Sequence, residues 1–172
     1  MSPLAATATR CEQAWDVLAT VLDPEVPALS VRDLGIVRDV VDQGGELEIV
    51  LTPTYSGCPA TEVIEHDVLA AIDKAGLGPA HVTLQRAPAW TTDWISAEGR
   101  RKLVEYGIAA PGPAAPDGAV PIRIFGRRAD AVPCPRCGSS NTERLSAFGS
   151  TACKSMYRCV SCREPFEHFK PI

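Results

Sequence analysis

With 172 residues and 45% hydrophobic content, the chain is long enough for one core of ordinary size plus a small appendage. No apolar run approaches the roughly 20 residues that span a bilayer, and the opening "MSPLAATATRCEQAW" lacks the basic-then-apolar order of a secretory signal; both observations predict a cytoplasmic protein with no membrane partner. Residues 1–118 carry 17 acidic against 8 basic side chains, net −9, and residues 119–172 carry 4 against 9, net +5, so the overall charge of −4 divides between two modules of opposite sign.

Trp15, Leu18, Val21 and Leu22 recur at helical spacing and predict a first helix from about Thr9 to Leu22, stopped by Pro24 and Pro27. "GIVRDVVDQGGELEIVLT" holds two apolar-rich runs around Gly44 and Gly45 and predicts a hairpin, with Leu47, Ile49 and Leu51 alternating onto one face. "PATEVIEHDVLAAIDKAG" predicts a second helix with Val63, Ile64, Val68, Leu69 and Ile72 on one stripe, Pro59 at its first position and Gly76 at its stop. "HVTLQR" predicts a third strand, and Ser96 a cap for a short helix with Glu98 in its first turn. "AAPGPAAPDGAVP" is too rich in Pro, Gly and Ala for a packed element and reads as a linker, after which short strands surround cysteine pairs. The expected class is α+β. An α-β-β-α-β type domain covers 1–108, the linker 109–121, and a β-rich, zinc-ribbon-like four-cysteine module 122–172.

Seven cysteines is an odd number, and four of them form two C-x-x-C pairs, "CPRC" and "CVSC", which in a reducing compartment favours metal over disulfides. Each pair lets two thiolates converge on one ion at about 2.3 Å, and two such knuckles complete a tetrahedron. Cys134, Cys137, Cys159 and Cys162 are therefore the expected ligands of a structural metal site, in which tetrahedral sulfur suits zinc and iron alike. A module of this size buries little apolar surface, so the ion is expected to supply much of its folding free energy. Cys153 nearby reads as a buried small hydrophobe rather than a ligand. The basic residues of the tail are dispersed, which argues against nucleic acid and for docking on an acidic protein surface.

"TPTYSGCPA" presents Cys58 just before the second helix, where unpaired N–H groups and the positive end of the helix dipole stabilise a thiolate. Three readings stand: a core thiol, a catalytic nucleophile, and a transient ligand of metal or cluster. The nucleophile would need a base from elsewhere. His66 lies two turns down the same helix, and no motif surrounds His81 or His168. "DPE" at 23–25 reads either as loop chemistry, with Asp23 and Asp33 shaping turns, or as carboxylates joining Cys58 at a metal entry point. Trp90 and Trp94 read as core or interface anchors.

"DPEVPALSVRDLGIVRDV" followed by "TPTYSGCPA" resembles the metal-sulfur cluster biosynthesis family, whose small α+β domain includes the SufT-type iron-sulfur assembly factors. With "RAPAWTTDWISAEGRRKLVEYGIAAP" and the tail "CPRCGSSNTERLSAFGSTACKSMYRCVSCREPFEHFK", the resemblance covers nearly the whole chain and narrows to the PaaD family. It implies an accessory or maturation protein of the phenylacetyl-CoA oxygenase (1,2-epoxidase) complex of aerobic phenylacetate degradation, helping to deliver or insert iron or an iron-sulfur cluster. The implied partners are the oxygenase and its Fe-S reductase subunit, with self-association into a homo-oligomer also open; the alternative role is a structural, non-catalytic subunit of that complex. The resemblance places the family's reactive cysteine on Cys58, its acidic turn on Asp23, Pro24 and Glu25, and its D-L-G on Asp33, Leu34 and Gly35. Asp23, Glu25 and Asp33 are thereby accessory candidates beside Cys58. An enzyme in its own right is not expected, because the chain has no P-loop, dinucleotide fingerprint, Ser-His-Asp signature or di-iron Glu-x-x-His set.

Overall fold

Helix α1 (Arg10–Leu18) opens where Thr9 and Glu12 form a reciprocal capping box, the Thr9 side chain accepting from the Glu12 N–H and the Glu12 carboxylate accepting from the Thr9 N–H. The helix stops at Leu18 and not at the predicted Leu22. The Thr20 hydroxyl turns back to the Val17 carbonyl at 2.7 Å, and the Val21 carbonyl is taken by the Val31 N–H at 2.9 Å. Leu22 then bridges Ser30, so the segment closes an extended pair where the periodicity alone suggested another helical turn. The computed structural model describes residues 9–55, 57–114 and 132–172.

Strands β1 (Val37–Asp42) and β2 (Leu47–Leu51) form the predicted antiparallel hairpin, whose turn requires the positive φ of Gly44 and Gly45, +71° and +122°. Leu47, Ile49 and Leu51 are buried as expected, while a register shift between Val37 and Asp39 breaks the alternation in β1. Helix α2 (Ala60–Lys74) crosses over to β3 (Ala80–Leu84), which runs parallel to β2 and completes a sheet of order β1-β2-β3. Its buried ridge is Ala60, Ile64, Val68 and Ile72. At about 1.5–3 kcal/mol for each fully buried Val or Ile, that ridge is what fixes the helix to its unit. Val63, expected on the stripe, is 46% exposed, because the ridge follows i, i+4 steps and Val63 lies one position off it. Pro59, expected as the first helical residue, is the N-cap. The Arg10 guanidinium donates to the Leu77 carbonyl at 2.6 Å and the Gly45 carbonyl at 2.9 Å, tying the hairpin turn and the α2–β3 loop to α1.

Contacts divide the chain between Ala89 and Trp90, into units Met1–Ala89 and Trp90–Ile172. In the second unit a 3-10 turn (Thr92–Trp94) precedes α3 (Ala97–Tyr106), which Ser96 caps as predicted by accepting from the Gly99 N–H. Strand β4 (Ile108–Ala109) pairs in parallel with β7 (Pro165–Phe169), and β6 (Lys154–Cys159) joins β7 to β5 (Thr142–Ser146), giving the order β4-β7-β6-β5. The contact division falls before the expected boundary at 108, and the strand Ile108–Ala109 spans the expected linker start at 109. Ala109 is a buried sheet residue, Trp90 lies 6.0 Å from Phe169, and the Ile172 carbonyl accepts from the Thr92 N–H at 3.1 Å, so 90–109 belongs with the cysteine module. Residues 115–121 of the expected linker lie outside the described residues. Among the described residues no helix is long and apolar enough to cross a membrane.

Candidate functional site

The two C-x-x-C turns are closed by different hydrogen bonds but share one backbone feature. In the first, the Gly138 N–H donates to the Cys134 carbonyl at 2.9 Å; in the second, the Cys162 N–H donates to the Cys159 sulfur at 3.5 Å. The residue after each second cysteine is left-handed, Gly138 at φ +72° and Arg163 at φ +65°, which turns the chain away so that both sulfurs of a pair face the same point. Strand β6 delivers Cys159 and the segment before β5 delivers Cys134, both buried against Ala109, Val132, Tyr157 and Phe166. Cys137 and Cys162 are exposed. The Ser139 and Ser161 hydroxyls, 2.8 Å apart, link the knuckles from outside.

All four sulfurs lie within 4.8 Å of one another, with Cys134 to Cys162 at 3.7 Å and Cys137 to Cys159 at 3.6 Å. A disulfide needs about 2.05 Å. A tetrahedron of sulfurs about 2.3 Å from a central ion has edges of about 3.8 Å, so the donor set fits one four-coordinate ion and leaves no position for a substrate. The Cys162 N–H is the main influence that draws the Cys159 thiol down to about 6. At Cys162 the Glu164 N–H also pulls downward, but desolvation and the neighbouring sulfurs outweigh it and push this thiol up to about 12. The Cys159 thiol is thus the readier of these two to act as a thiolate, and filling the site must expel the proton that Cys162 holds. Cys153 is buried, 3.1 Å from the Thr151 hydroxyl and outside the four-sulfur group, in keeping with its core reading. Trp90 is likewise buried, as a core anchor.

Cys58 lies in the loop that connects β2 to α2, half-buried and one residue before the N-cap. Its N–H donates to the Tyr55 carbonyl at 3.3 Å, its carbonyl accepts from the Thr61 N–H at 3.1 Å, and Gly57 at φ +79° supplies the bend before it. Pro59 offers no side-chain cap to the first turn. Two of the carboxylates carried over with it, Asp23 and Asp33, do loop work. Asp23 Oδ1 accepts from the Glu25 and Val26 N–H groups at 2.9 and 2.7 Å, and Asp33 Oδ2 accepts from the Ser30 N–H at 3.1 Å while Ser30 Oγ accepts from the Asp33 N–H at 3.0 Å. Among the described residues, no group of three or more candidate metal ligands includes Cys58, Asp23, Glu25 or Asp33. His66 pairs with Asp67 and His81 with Glu46. His168, desolvated to a lowered pKa, stands edge-on to Tyr157 in the other unit.

Thr52 escaped the sequence reading. It opens the same loop, is fully buried, and its Oγ1 has no hydrogen-bond partner among the described residues. Nothing in the sequence marks it, because a threonine ending a strand ordinarily finds a carbonyl.

Residues 12–84 match the family model described as "Iron-sulfur cluster assembly protein", and residues 121–170 match the "PaaD zinc beta ribbon domain". The chain is 46% identical over 160 residues, 93% of its length and 92% of the relative's, to an Escherichia coli (strain K12) protein named as one subunit of a putative 1,2-phenylacetyl-CoA epoxidase. It is 34% identical over 89 residues, 51% of its length and 84% of the relative's, to the "Fe-S protein maturation auxiliary factor" of Porphyromonas gingivalis (strain ATCC BAA-308 / W83). Among solved structures, a "Domain of Unknown Function DUF59" from Bacillus anthracis superposes with a TM-score of 0.51 at 26% identity, covering 55% of this chain and 91% of that one.

Proposed function

The chain belongs to the PaaD family, and from that premise we propose that it is an accessory protein of a phenylacetyl-CoA epoxidase, helping to deliver iron or an iron-sulfur cluster to its client. The observation that carries this reading is the end-to-end match at 46% identity with a protein named as part of that epoxidase, joined to an iron-sulfur assembly module over residues 12–84. Cys58 is the thiol that holds the cargo transiently, with Asp23, Glu25 and Asp33 as accessory candidates, of which Asp23 and Asp33 hold the turns at 23–26 and 30–33 in shape. Cys134, Cys137, Cys159 and Cys162 hold a resident structural ion, for which zinc is our assignment on the strength of the ribbon match. When bound, that ion supplies folding free energy and a rigid knuckle pair, with no part in chemistry. The protein is not itself an enzyme; it acts in the cytoplasm and meets the oxygenase and its Fe-S reductase.

The Escherichia coli relative is named as an epoxidase component and not as a maturation factor, which favours a second reading, a structural, non-catalytic member of the oxygenase complex. Co-expressing the oxygenase and reductase with and without this protein, and measuring iron and acid-labile sulfide in each, tests the first reading. A client equally loaded in both cases overturns it, and stoichiometric copurification with active oxygenase then supports the second.

A further inference from the structure

The four-cysteine centre and the Cys58 loop leave unused an open groove of about 570 Å³ in the first unit, between the C-terminal end of α1 and helix α2. Its walls are Val17, Val21 and Leu22 on one side and Asp67, Ala70, Ala71 and Lys74 on the other. Apart from Thr20 its only polar side chains are Asp67 and Lys74, an acid and a base seven residues apart on one helix. Seven residues at 100° each return to within about 20° of the start, so the two charges share one stripe with the alanines between them. Among the described residues Asp67 pairs only with its neighbour His66, at 3.3 Å, and Lys74 has no ion-pair partner. Leu22 at the edge of the groove is 51% exposed, and Val63, one turn before Asp67, is also open to solvent.

That charge order is self-complementary. We propose that the groove is a docking surface for a second copy of this chain, with α2 lying antiparallel to its counterpart about a two-fold axis between Ala70 and Ala71. The axis sets Asp67 of each chain opposite Lys74 of the other, an isologous contact in which one patch meets itself. Alanines at the crossing let the helix axes approach to about 8 Å, the near end of the usual range. The partner helix removes Leu22 from water on both sides. A foreign helix would have to carry the same spacing of base and acid in reverse, whereas the second copy presents it by symmetry. The inference stands on the first unit alone and does not depend on the maturation reading.

Sedimentation velocity on the full chain, from micromolar to several hundred micromolar, tests it; a small interface of this kind gives a dimer that grows with concentration. D67K and K74D each place two like-charged pairs across the axis and raise the dissociation constant about tenfold or more. The D67K/K74D double variant restores the dimer, and an equimolar mixture of the two single variants forms a heterodimer tighter than either alone. Both positions are exposed, so far-UV circular dichroism of every variant matches the original. A chain that stays monomeric throughout the range, or a dimer indifferent to both reversals and to mixing, overturns the proposal.

Discussion

The ammonium of Lys154 on β6 lies 3.0 Å from the carboxylate of Glu167 on β7, with the lysine side chain only 3% exposed. The same carboxylate accepts the Ser150 N–H at 2.6 Å, and a Cβ added to Gly149 would sit 2.5 Å from its Oε1. One acid therefore neutralises a buried base and holds the loop between β5 and β6. Lys154→Met, which removes the charge and leaves the carboxylate partly solvated, should destabilise the second unit by about 1–3 kcal/mol, below the range for fully buried pairs. Urea unfolding of the two chains measures the difference.

The same pair predicts a pH dependence. Burial pushes the Glu167 carboxyl up, but the Ser150 N–H and the Lys154 ammonium outweigh it and hold it below the usual carboxylate range. A depressed acid contributes stability above its unfolded value, and that contribution fades as pH falls through the folded value. The melting difference between the unsubstituted chain and Glu167→Gln should be largest near neutrality and narrow below about pH 4.5. A difference that is constant down to pH 3 would show that the pair is not what holds the loop.

The knuckle geometry predicts one ion per chain. Changing any one of Cys134, Cys137, Cys159 or Cys162 to Ser should lose most of the metal and unfold the second unit, with the first left largely folded, as read by elemental analysis and circular dichroism. Loading the metal-free chain should release protons measurably at pH 7, since Cys162 holds its thiol proton up to about 12. Protein purified without chelator that contains neither zinc nor iron would contradict the assignment.

What the sequence made legible followed from local rules. Two C-x-x-C pairs, the Gly44-Gly45 turn and the Leu47-Ile49-Leu51 alternation each involve residues close in the chain, and each is in the structure as expected. What it hid depended on distant partners. Val21 and Leu22 continue a helical period, yet Val31 and Ser30 capture their backbone. Ala109 looks like linker until β7 pairs with it, and the Thr52 hydroxyl looks ordinary until burial leaves it without a partner among the described residues.

That orphaned hydroxyl supports a prediction of its own. A buried polar group without a partner costs about 1–3 kcal/mol, so Thr52→Val, which keeps the shape and removes the hydroxyl, should raise stability by about 1 kcal/mol in urea unfolding. Threonine-to-valine changes in a core are ordinarily unfavourable, which gives the sign its diagnostic value. A loss of stability would mean that the hydroxyl has a partner such as an ordered water.

Cys58→Ser separates fold from function in the first unit. The side chain is half-buried and lies one residue before the N-cap, and the change replaces a single sulfur by oxygen, so it should cost less than about 1 kcal/mol. Maturation of the epoxidase in cells should nevertheless fail. Full growth of the variant on phenylacetate as sole carbon source would return Cys58 to a core thiol.

The boundary between Ala89 and Trp90 makes the last prediction, because it disagrees with where the composition breaks. A fragment of residues 109–172 keeps every metal ligand but loses Trp90 from the face of Phe169 and Thr92 from the Ile172 carbonyl. It also cuts Ala109 away from Ile108 and α3, so half of the two-residue strand β4 is gone and nothing holds the remainder against β7. Removing a buried Trp costs about 3–5 kcal/mol when the rest of the site stays in place, a large fraction of what so small a unit can have. With zinc present, residues 90–172 should therefore fold and melt cooperatively, while residues 109–172 should bind the ion but melt well below it. Thermal unfolding followed by circular dichroism compares the two, and near-equal midpoints would return residues 90–108 to the first unit.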